Sequence, residues 1–433
     1  MKKLLVSIIF FSLLIATAVF GGCAREEKGG EKIITGDNII AAVKSGGEFK
    51  LGGDITVNAE QLQKSLGEAG KPVNIDLDGN KLSLTSKTLT LAETQLKLTN
   101  GELVCANSNA YGTCIAVGNG SSLTLENLSV VSAGVAVEAQ SNAAAVIIDG
   151  CTVKSAAKRS LTAVAGEGEK TLDFTVKNTV IEQNPQSNSS TAIALYAGEA
   201  VLDNVTVTGA WYGLNVFDTA NATVKNSQFI CTHACILSAW VQDSTFTGTY
   251  SESSKVTVES GTYTIDGSGQ GTAYLFSPVH WSGSGTLDIL DGTFENKNTS
   301  TGAGVYVRNG TVNVKGGKVT AATALKISAE FKDTVRATLN VYGGEIKAYG
   351  SAAYLFTNVV GNLAKRLELN VYGGSFSGSS CIARNLNDVN QNFTYGIEVS
   401  GGTFDKSVSA WLKTGYVQTE NADGTFTVKS NQR

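Results

Sequence analysis

The feature that most constrains this chain is a short unit that recurs along most of its length. Its clearest copy is Gly396 to Phe404, GIEVSGGTF, in which apolar residues alternate with other residues before a turn, and one more apolar residue follows. Alternation at period two predicts a β-strand with one buried face. Further copies begin at Ile75, Leu96, Leu123, Val146, Phe174, Val256, Leu287, Val312, Leu339 and Leu369.

The turn position of the unit indicates how its strands are joined. Nearly every occupant is Gly, Asn, Asp or Ser, which tolerate or favour a positive φ. Successive turns lie about 25 residues apart, within the range of periods that marks solenoids. We therefore expect a strand, a tight turn and a second strand in each unit. The turn positions are Gly79, Asn100, Asn127, Gly150, Asn178, Asn204, Asn226, Asp243, Ser260, Asp291, Gly316, Gly343, Gly373 and Gly401.

A third short strand follows most turns and is usually introduced by Gly or Ala, as in Gly304-Val-Tyr-Val and Ala353-Tyr-Leu-Phe. Three strands per repeat, with a bend at Asn or Gly, predict an all-β fold, a right-handed parallel β-helix that forms one continuous domain. The turn column up to Asn226 should form a ladder of stacked side-chain amides. The third residue after each turn should form an interior stack, which includes Phe229, Phe246, Tyr263, Phe294 and Phe376.

The pattern of the N-terminal residues predicts an export signal. In residues 1–22, Lys2 and Lys3 precede an apolar run that ends at Phe20. Phe20-Gly-Gly-Cys23 resembles the bacterial lipobox, in which the cysteine receives a diacylglycerol, so we expect a lipid anchor at Cys23. A transmembrane anchor, or a cleaved signal with an incidental cysteine, is the alternative. Residues 23–35 are charged and Gly-rich, which predicts a tether.

The β-helix is expected to span residues 36–433, with a cap at each end. Residues 36–48 predict a short helix that begins near Asn38 and ends at Gly46 and Gly47. Residues 405–433 predict a C-terminal cap, because Asp423-Gly424 between alternating strands is a hairpin signal. Caps are needed because an open solenoid end exposes core and strand edges.

The two ends of the chain also carry a family resemblance. The closing segments Gly401-Gly-Thr-Phe, Val408-Ser-Ala-Trp-Leu and Asn421-Ala-Asp-Gly-Thr-Phe-Thr-Val, with the opening segment Phe49-Lys-Leu-Gly-Gly-Asp-Ile, are similar to those of surface lipoproteins of gut bacteria. The resemblance implies a pectate-lyase-like β-helix on the cell surface. It implies no activity.

No catalytic residue is predicted. Enzymes of this fold that cleave polysaccharides place acids and bases on the outward face of one sheet, and the outward column that we expect contains no acid. Of the two histidines, His233 and His280, neither is flanked by glycines as in the galacturonase-like enzymes. The expected column is Ala116, Ala136, Ala194, Asn215, Leu275, Tyr306, Lys326 and Leu355.

Ligand contacts are expected instead from aromatic and imidazole side chains in or beside the long loop from Ile265 to Gly285 and on the neighbouring strand. Aromatic rings on an exposed loop can stack on sugar rings. For Tyr274 the alternative is an interior strand position. The candidate residues are Tyr274, His280, Trp281 and Tyr306.

The cysteines do not predict a metal site or a cofactor. Cys231-Thr-His233-Ala-Cys235 offers three ligands, but zinc requires a fourth. Core thiols or a local disulfide are the alternatives there. A disulfide between Cys105 and Cys114 is the preferred pairing, because exported proteins can oxidise their cysteines.

Two functional hypotheses follow. The first is an exported, lipid-anchored protein at the bacterial surface that binds carbohydrate, or a host or bacterial protein, without catalysis. The second is a polysaccharide lyase or glycoside hydrolase whose active residues lie in the loops around Trp281 and Asn385. The net charge of -4 gives no support to nucleic-acid binding.

Overall fold

The chain forms a right-handed parallel β-helix, which confirms the predicted fold class. The structure is a computed structural model. It describes residues 32–105, 112–140, 143–156, 159–163, 173–183, 190–217, 219–238, 254–266, 276–329, 335–358, 365–387 and 393–431.

Most of the described coils contribute one strand to each of three sheets, which are numbered here in chain order. Sheets 1 and 2 form one hydrogen-bonded network, because two long strands, Gln95–Cys105 and Ser122–Ser132, pass through both. Sheet 1 also contains Lys32–Ile34, Gly47–Leu51, Val73–Asp76, Ala145–Asp149, Asp173–Lys177, Glu199–Asp203, Asn221–Lys225, Lys255–Val258, Thr286–Ile289, Gly310–Val314, Val335–Val341, Lys365–Val371 and Phe393–Val399.

Sheet 2 faces a different side of the coil. It contains Ile55–Asn58, Lys81–Thr85, Thr152–Ser155, Val180–Gln183, Thr206–Thr208, Ser227–Cys231, Gly261–Ile265, Thr293–Asn296, Lys318–Ala321, Glu345–Ala348, Ser375–Ser377 and Gly402–Phe404, and ends with the cap strands Tyr416–Glu420 and Phe426–Ser430.

Sheet 3 is a separate parallel sheet, with 12 strands in the described part of the chain. It contains Leu89–Ala92, Thr113–Gly118, Val135–Ala139, Arg159–Ala163, Thr191–Leu195, Tyr212–Val216, Ala234–Ser238, Ser277–Trp281, Ala303–Val307, Thr323–Ala329, Ser351–Asn358 and Ser380–Asn387.

The residue with a positive φ in the turn between sheets 1 and 2 changes along the chain. Asn100, Asn178 and Asn204 adopt φ values of 56°, 50° and 56° at the predicted turn position. From Ser260 onward the prediction is wrong by one residue, because the positive φ moves to the following glycine, as at Gly317 (84°). The preceding Gly316 is required for another reason: a Cβ there would lie 2.4 Å from the carbonyl oxygen of Leu290.

The predicted amide ladder is present, with an acidic variation. The Asn204 amide donates to Asn178 Oδ1 at 3.0 Å. The Asn178 amide donates instead to Asp149 Oδ1 at 2.9 Å, since Gly150 occupies the turn position of that coil. Each described asparagine of the turn column therefore donates a hydrogen bond to the coil before it.

The predicted interior stack is also present. Phe229 packs edge-on against Tyr263 with ring centroids 5.5 Å apart, and farther along the chain Phe376 stacks on Phe404 at 5.0 Å. These rings are buried in the continuous apolar core. Phe246 lies outside the described residues.

The N-terminal cap is larger than predicted. Lys32–Ile34, placed in the tether by the sequence, pairs in parallel with Gly47–Leu51. The expected helix spans Ile39–Val43, and a second helix, Ala59–Glu68, packs against it and against Leu89–Ala92. The Asn58 side chain accepts hydrogen bonds from two amides in the first turn of this second helix.

The C-terminal cap is the predicted hairpin. Tyr416–Glu420 and Phe426–Ser430 pair antiparallel, and Gly424 in the turn has a φ of 79°. The second hairpin strand also pairs antiparallel with Gly402–Phe404 and thereby covers the last edge of sheet 2. A 3-10 helix, Ser409–Trp411, lies between the last coil and the hairpin.

Candidate functional site

The outward face of sheet 3 differs from the predicted column at two described positions. Ala136 and Leu355 belong to the core, and Glu138 and Tyr354 take the outward positions. The expectation that this column contains no acid is therefore wrong at Glu138. Its carboxylate accepts hydrogen bonds from the side chains of Thr113 and Gln140, both at 3.2 Å. The observed column is Ala116, Glu138, Thr162, Ala194, Asn215, Leu237, His280, Tyr306, Lys326 and Tyr354.

A groove of about 850 Å³ runs over the C-terminal coils of this face. Residues 299–302 form part of one wall, and Tyr349 stands beside it with 53% of its surface exposed. Tyr354 and Phe356 are half-buried on one strand of the groove, with ring centroids 6.1 Å apart and planes inclined by 25°. We call this pair of neighbouring, nearly parallel rings the aromatic platform.

Lys326, on the preceding strand of sheet 3, lies over one ring of the platform. Its ammonium nitrogen lies 5.2 Å from the centre of the Phe356 ring and 4.6 Å from that of Tyr306. The Tyr306 hydroxyl lies 2.7 Å from the hydroxyl of Ser328. Tyr306 and Ser328 are completely buried, so Lys326 links the half-buried ring of Phe356 to a buried pair of the same sheet.

The polar groups of the groove are neutral or cationic among the residues that the structure describes. Asn385 supplies an exposed amide, and Thr299, Ser300 and Thr301 supply hydroxyls. None of the described lining residues is acidic. Glycoside hydrolysis uses a pair of carboxylates on either side of the bond, and the described lining provides no such pair.

None of the predicted contact residues that the structure describes is exposed to solvent. Trp281 points into the core, where its indole nitrogen donates to the Gly285 carbonyl at 3.1 Å, so its assignment as a ligand contact is wrong. His280 and Tyr306 lie on the outward face but are fully buried, so neither offers an exposed surface. Tyr274 lies outside the described residues.

His280 belongs to a buried cluster in sheet 3. His233 lies 6.3 Å from it, between centroids, and also packs against Trp211 and Phe276 at 5.2 and 4.8 Å. Burial lowers the pKa of His233 to about 4. Burial, with the charges of Arg308 and Lys326, holds the pKa of His280 well below its usual range. Both imidazoles are therefore neutral near pH 7.

The six cysteines that the structure describes lie in the interior of the solenoid. Cys105 and Cys114 form a disulfide with Cα atoms 5.6 Å apart. Cys231 and Cys235 are buried free thiols, and burial raises the pKa of Cys235 well above its usual range. Within the described ranges, no cluster of three or more His, Cys, Asp or Glu side chains could hold a metal ion.

The aromatic platform was not recognised as such from the sequence. Its only local signal is Tyr354-Leu-Phe356, in which the two rings alternate with a core residue. The residues that face it come from other coils. Cys23, the predicted lipidation site, lies outside the described residues. No helix in the described part of the chain is long and apolar enough to cross a membrane.

These features define the class of the protein as a right-handed parallel β-helix with a surface groove on its third sheet. In agreement, a family model described as "Right handed beta helix region" matches residues 113–270. The groove lies C-terminal to that match. No curated protein and no solved structure matches the chain.

Proposed function

We propose that this protein is a non-catalytic carbohydrate-binding module and that the groove on sheet 3 is its binding site. The observation that carries the proposal is the aromatic platform of Tyr354 and Phe356. Partly exposed rings of this kind offer large apolar faces for stacking at a low cost in conformational entropy. Sugar rings have apolar C–H faces that suit such a surface.

The polar groups around the platform are suited to bind the hydroxyl groups of a sugar. Hydroxyls and the Asn385 amide in the groove wall can exchange hydrogen bonds with sugar hydroxyls. The groove is formed by consecutive coils of one rigid sheet, so little ordering is needed when a ligand binds. The described lining has no acid pair, which favours binding over cleavage.

We further propose that the module is attached to the outer surface of a bacterium through a diacylglycerol on Cys23. The support is the lipobox-like segment after an apolar run. Cells that express the full chain should incorporate an alkyne-labelled fatty acid into it, and the Cys23→Ser variant should not. Digestion by a protease added to intact cells should show that the domain faces outward. Equal labelling of the two chains, or complete protection, contradicts this part of the proposal.

The binding function is tested by electrophoresis of the chain from Ala24 onward through native gels cast with different polysaccharides. Retardation by one polymer class, without loss of stained polymer, is the expected result. The Tyr354→Ala and Phe356→Ala variants should each migrate nearly as they do without polymer. Tyr372→Ala removes an exposed tyrosine between sheets 1 and 2, so it is the matched control and should remain retarded.

The other outcomes overturn the proposal in different ways. Clearing of the polymer indicates an enzyme and directs attention to the loops around the groove. No retardation by any polymer makes a protein partner the leading alternative. Equal loss of retardation in Tyr354→Ala and Tyr372→Ala places the binding surface elsewhere.

A further inference from the structure

Sheet 3 ends in an edge that the C-terminal hairpin does not pair with. Its last strand, Ser380–Asn387, pairs with Ser351–Asn358 and with no other described strand. The hairpin instead pairs with the last strand of sheet 2, and the Lys413 amide donates to the Val399 carbonyl of sheet 1 at 2.9 Å. An edge strand presents free N–H and C=O groups and is a template for strands of other chains.

One column of inward-facing residues in sheet 3 changes from apolar to charged at this last strand. In register along the sheet it runs Trp281, Val307, Ile327, Leu355 and then Arg384. The first four residues are buried in the apolar core. Arg384 follows them on the core side of the strand, although its own residue is exposed at the end of the solenoid.

The Arg384 side chain is held by two aromatic rings. Its guanidinium carbon lies 5.1 Å from the ring centre of Tyr395 and 5.1 Å from that of Trp411. Tyr395 lies in the last strand of sheet 1, in register with buried Leu367, and Trp411 belongs to the 3-10 helix of the cap. The stack therefore joins sheet 3, sheet 1 and the cap across the end of the core.

A second chain that added a strand to this edge would continue the core over Arg384. Its guanidinium would then be removed from water into an apolar layer with no described acid in the stack, which is strongly unfavourable. An inward-pointing charge on an edge strand is a known means of preventing edge-to-edge association. Trp411 meanwhile packs against the apolar core.

We propose that the stack of Arg384, Tyr395 and Trp411 terminates the solenoid by preventing a second copy of this chain from pairing with Ser380–Asn387. This inference is independent of the groove and of any carbohydrate ligand. It assigns a role to a charged residue at a position that is apolar in each of the four preceding coils.

The test compares the chain from Ala24 onward with its Arg384→Leu variant by sedimentation velocity over a wide range of concentrations. The variant is expected to form concentration-dependent dimers, and the unchanged chain is not. Arg366→Leu, the same substitution at an exposed position in sheet 1, is the matched control and should sediment like the unchanged chain. A natively folded Arg384→Leu variant that sediments like the unchanged chain overturns the proposal.

A second variant separates edge pairing from misfolding. Leu386 lies on the core side of the same strand, so Arg384→Leu/Leu386→Lys restores an inward charge at the edge. This double variant should return to the sedimentation of the unchanged chain. If it associates as strongly as Arg384→Leu, the contact does not form through this edge and the proposal fails.

Discussion

The ring of Tyr263 stacks on the ring of Phe294 in the next coil, with centroids 4.9 Å apart and planes inclined by 12°. The two residues are also direct partners in the parallel register of sheet 2. The ring spacing matches the distance of about 4.8 Å between neighbouring strands. The backbone ladder thus places each ring on the next, and packing and hydrogen bonding stabilise the same arrangement.

This relationship predicts a large loss of stability for Phe294→Ala. Removing a fully buried ring from the core should lower the free energy of unfolding by about 3–5 kcal/mol. Urea denaturation followed by tryptophan fluorescence measures the change. Tyr342→Ala is the control, because Tyr342 stacks on Tyr372 at 4.8 Å but is 48% exposed. It should cost less than about 1 kcal/mol, and equal losses would contradict the argument.

The Asn ladder predicts an order of stability at position 204. Asn204 has a φ of 56° and donates a 3.0 Å hydrogen bond to Asn178. Asn204→Gly loses the bond but keeps the backbone conformation, so it should cost about 1 kcal/mol. Asn204→Ala adds the strain of a β-carbon at positive φ and should cost about 1–2 kcal/mol more. Thermal melts of the three proteins measure the order, and an alanine variant as stable as the glycine variant would refute it.

The fold could be predicted because the solenoid repeats one local pattern. Alternation before each turn defines the strands of sheet 1, and the interior position after the turn defines the stack that contains Phe229 and Tyr263. Because neighbouring coils pair in parallel register, the same column positions recur from coil to coil. A unit with a clear pattern therefore predicts the strand positions of its neighbours. The second N-terminal helix was missed although its signals are present: an N-capping Asn58, and Leu62 and Leu66 four residues apart.

The candidate site was harder to predict because alternation disappears in sheet 3. In Ser277–Trp281 every residue is buried, so the pattern does not reveal that His280 faces outward and Trp281 inward. At Ala353-Tyr-Leu-Phe the same ambiguity placed Leu355 on the outer face instead of Tyr354. The groove also depends on residues 299–302, which are distant in sequence from the platform. Only the stacking of coils brings them together.

The buried imidazole of His233 predicts a pH-dependent stability. Its pKa is about 4 in the folded chain and its usual value is near 6.5, so the unfolded chain takes up the proton first as the pH falls. The contribution of neutral His233 to stability should be constant above about pH 7 and should fall between about pH 6.5 and 4, by about 3 kcal/mol, and neutral His280 adds a loss in the same direction. Urea denaturation at several pH values measures this. His233→Phe keeps the ring packing and should reduce the dependence, and an unchanged dependence would contradict the assignment.

The disulfide between Cys105 and Cys114 predicts the number of reactive thiols. The chain from Ala24 onward has six cysteines, and the structure leaves four of them free: Cys151, Cys231, Cys235 and Cys381. Thiol titration in denaturant, without reductant, should therefore detect four groups, and peptide mapping should recover the two half-cystines in one linked species. A count of six would contradict the pairing.

Replacing both cysteines tests the energetic role of this disulfide. Cys105→Ser/Cys114→Ser should lose about 2–3 kcal/mol of stability, because the closed loop is short and the entropy that it removes from the unfolded chain is correspondingly modest. Reductant should lower the stability of the unchanged chain by a similar amount and leave the double variant unaffected, since buried Cys151 and Cys381 are already thiols. Burial raises the pKa of Cys151 to about 11, and burial with the nearby Asp405 raises that of Cys381 to about 12, so neither competes for the disulfide in the folded chain. A double variant that still responds to reductant would show that a different pair is linked.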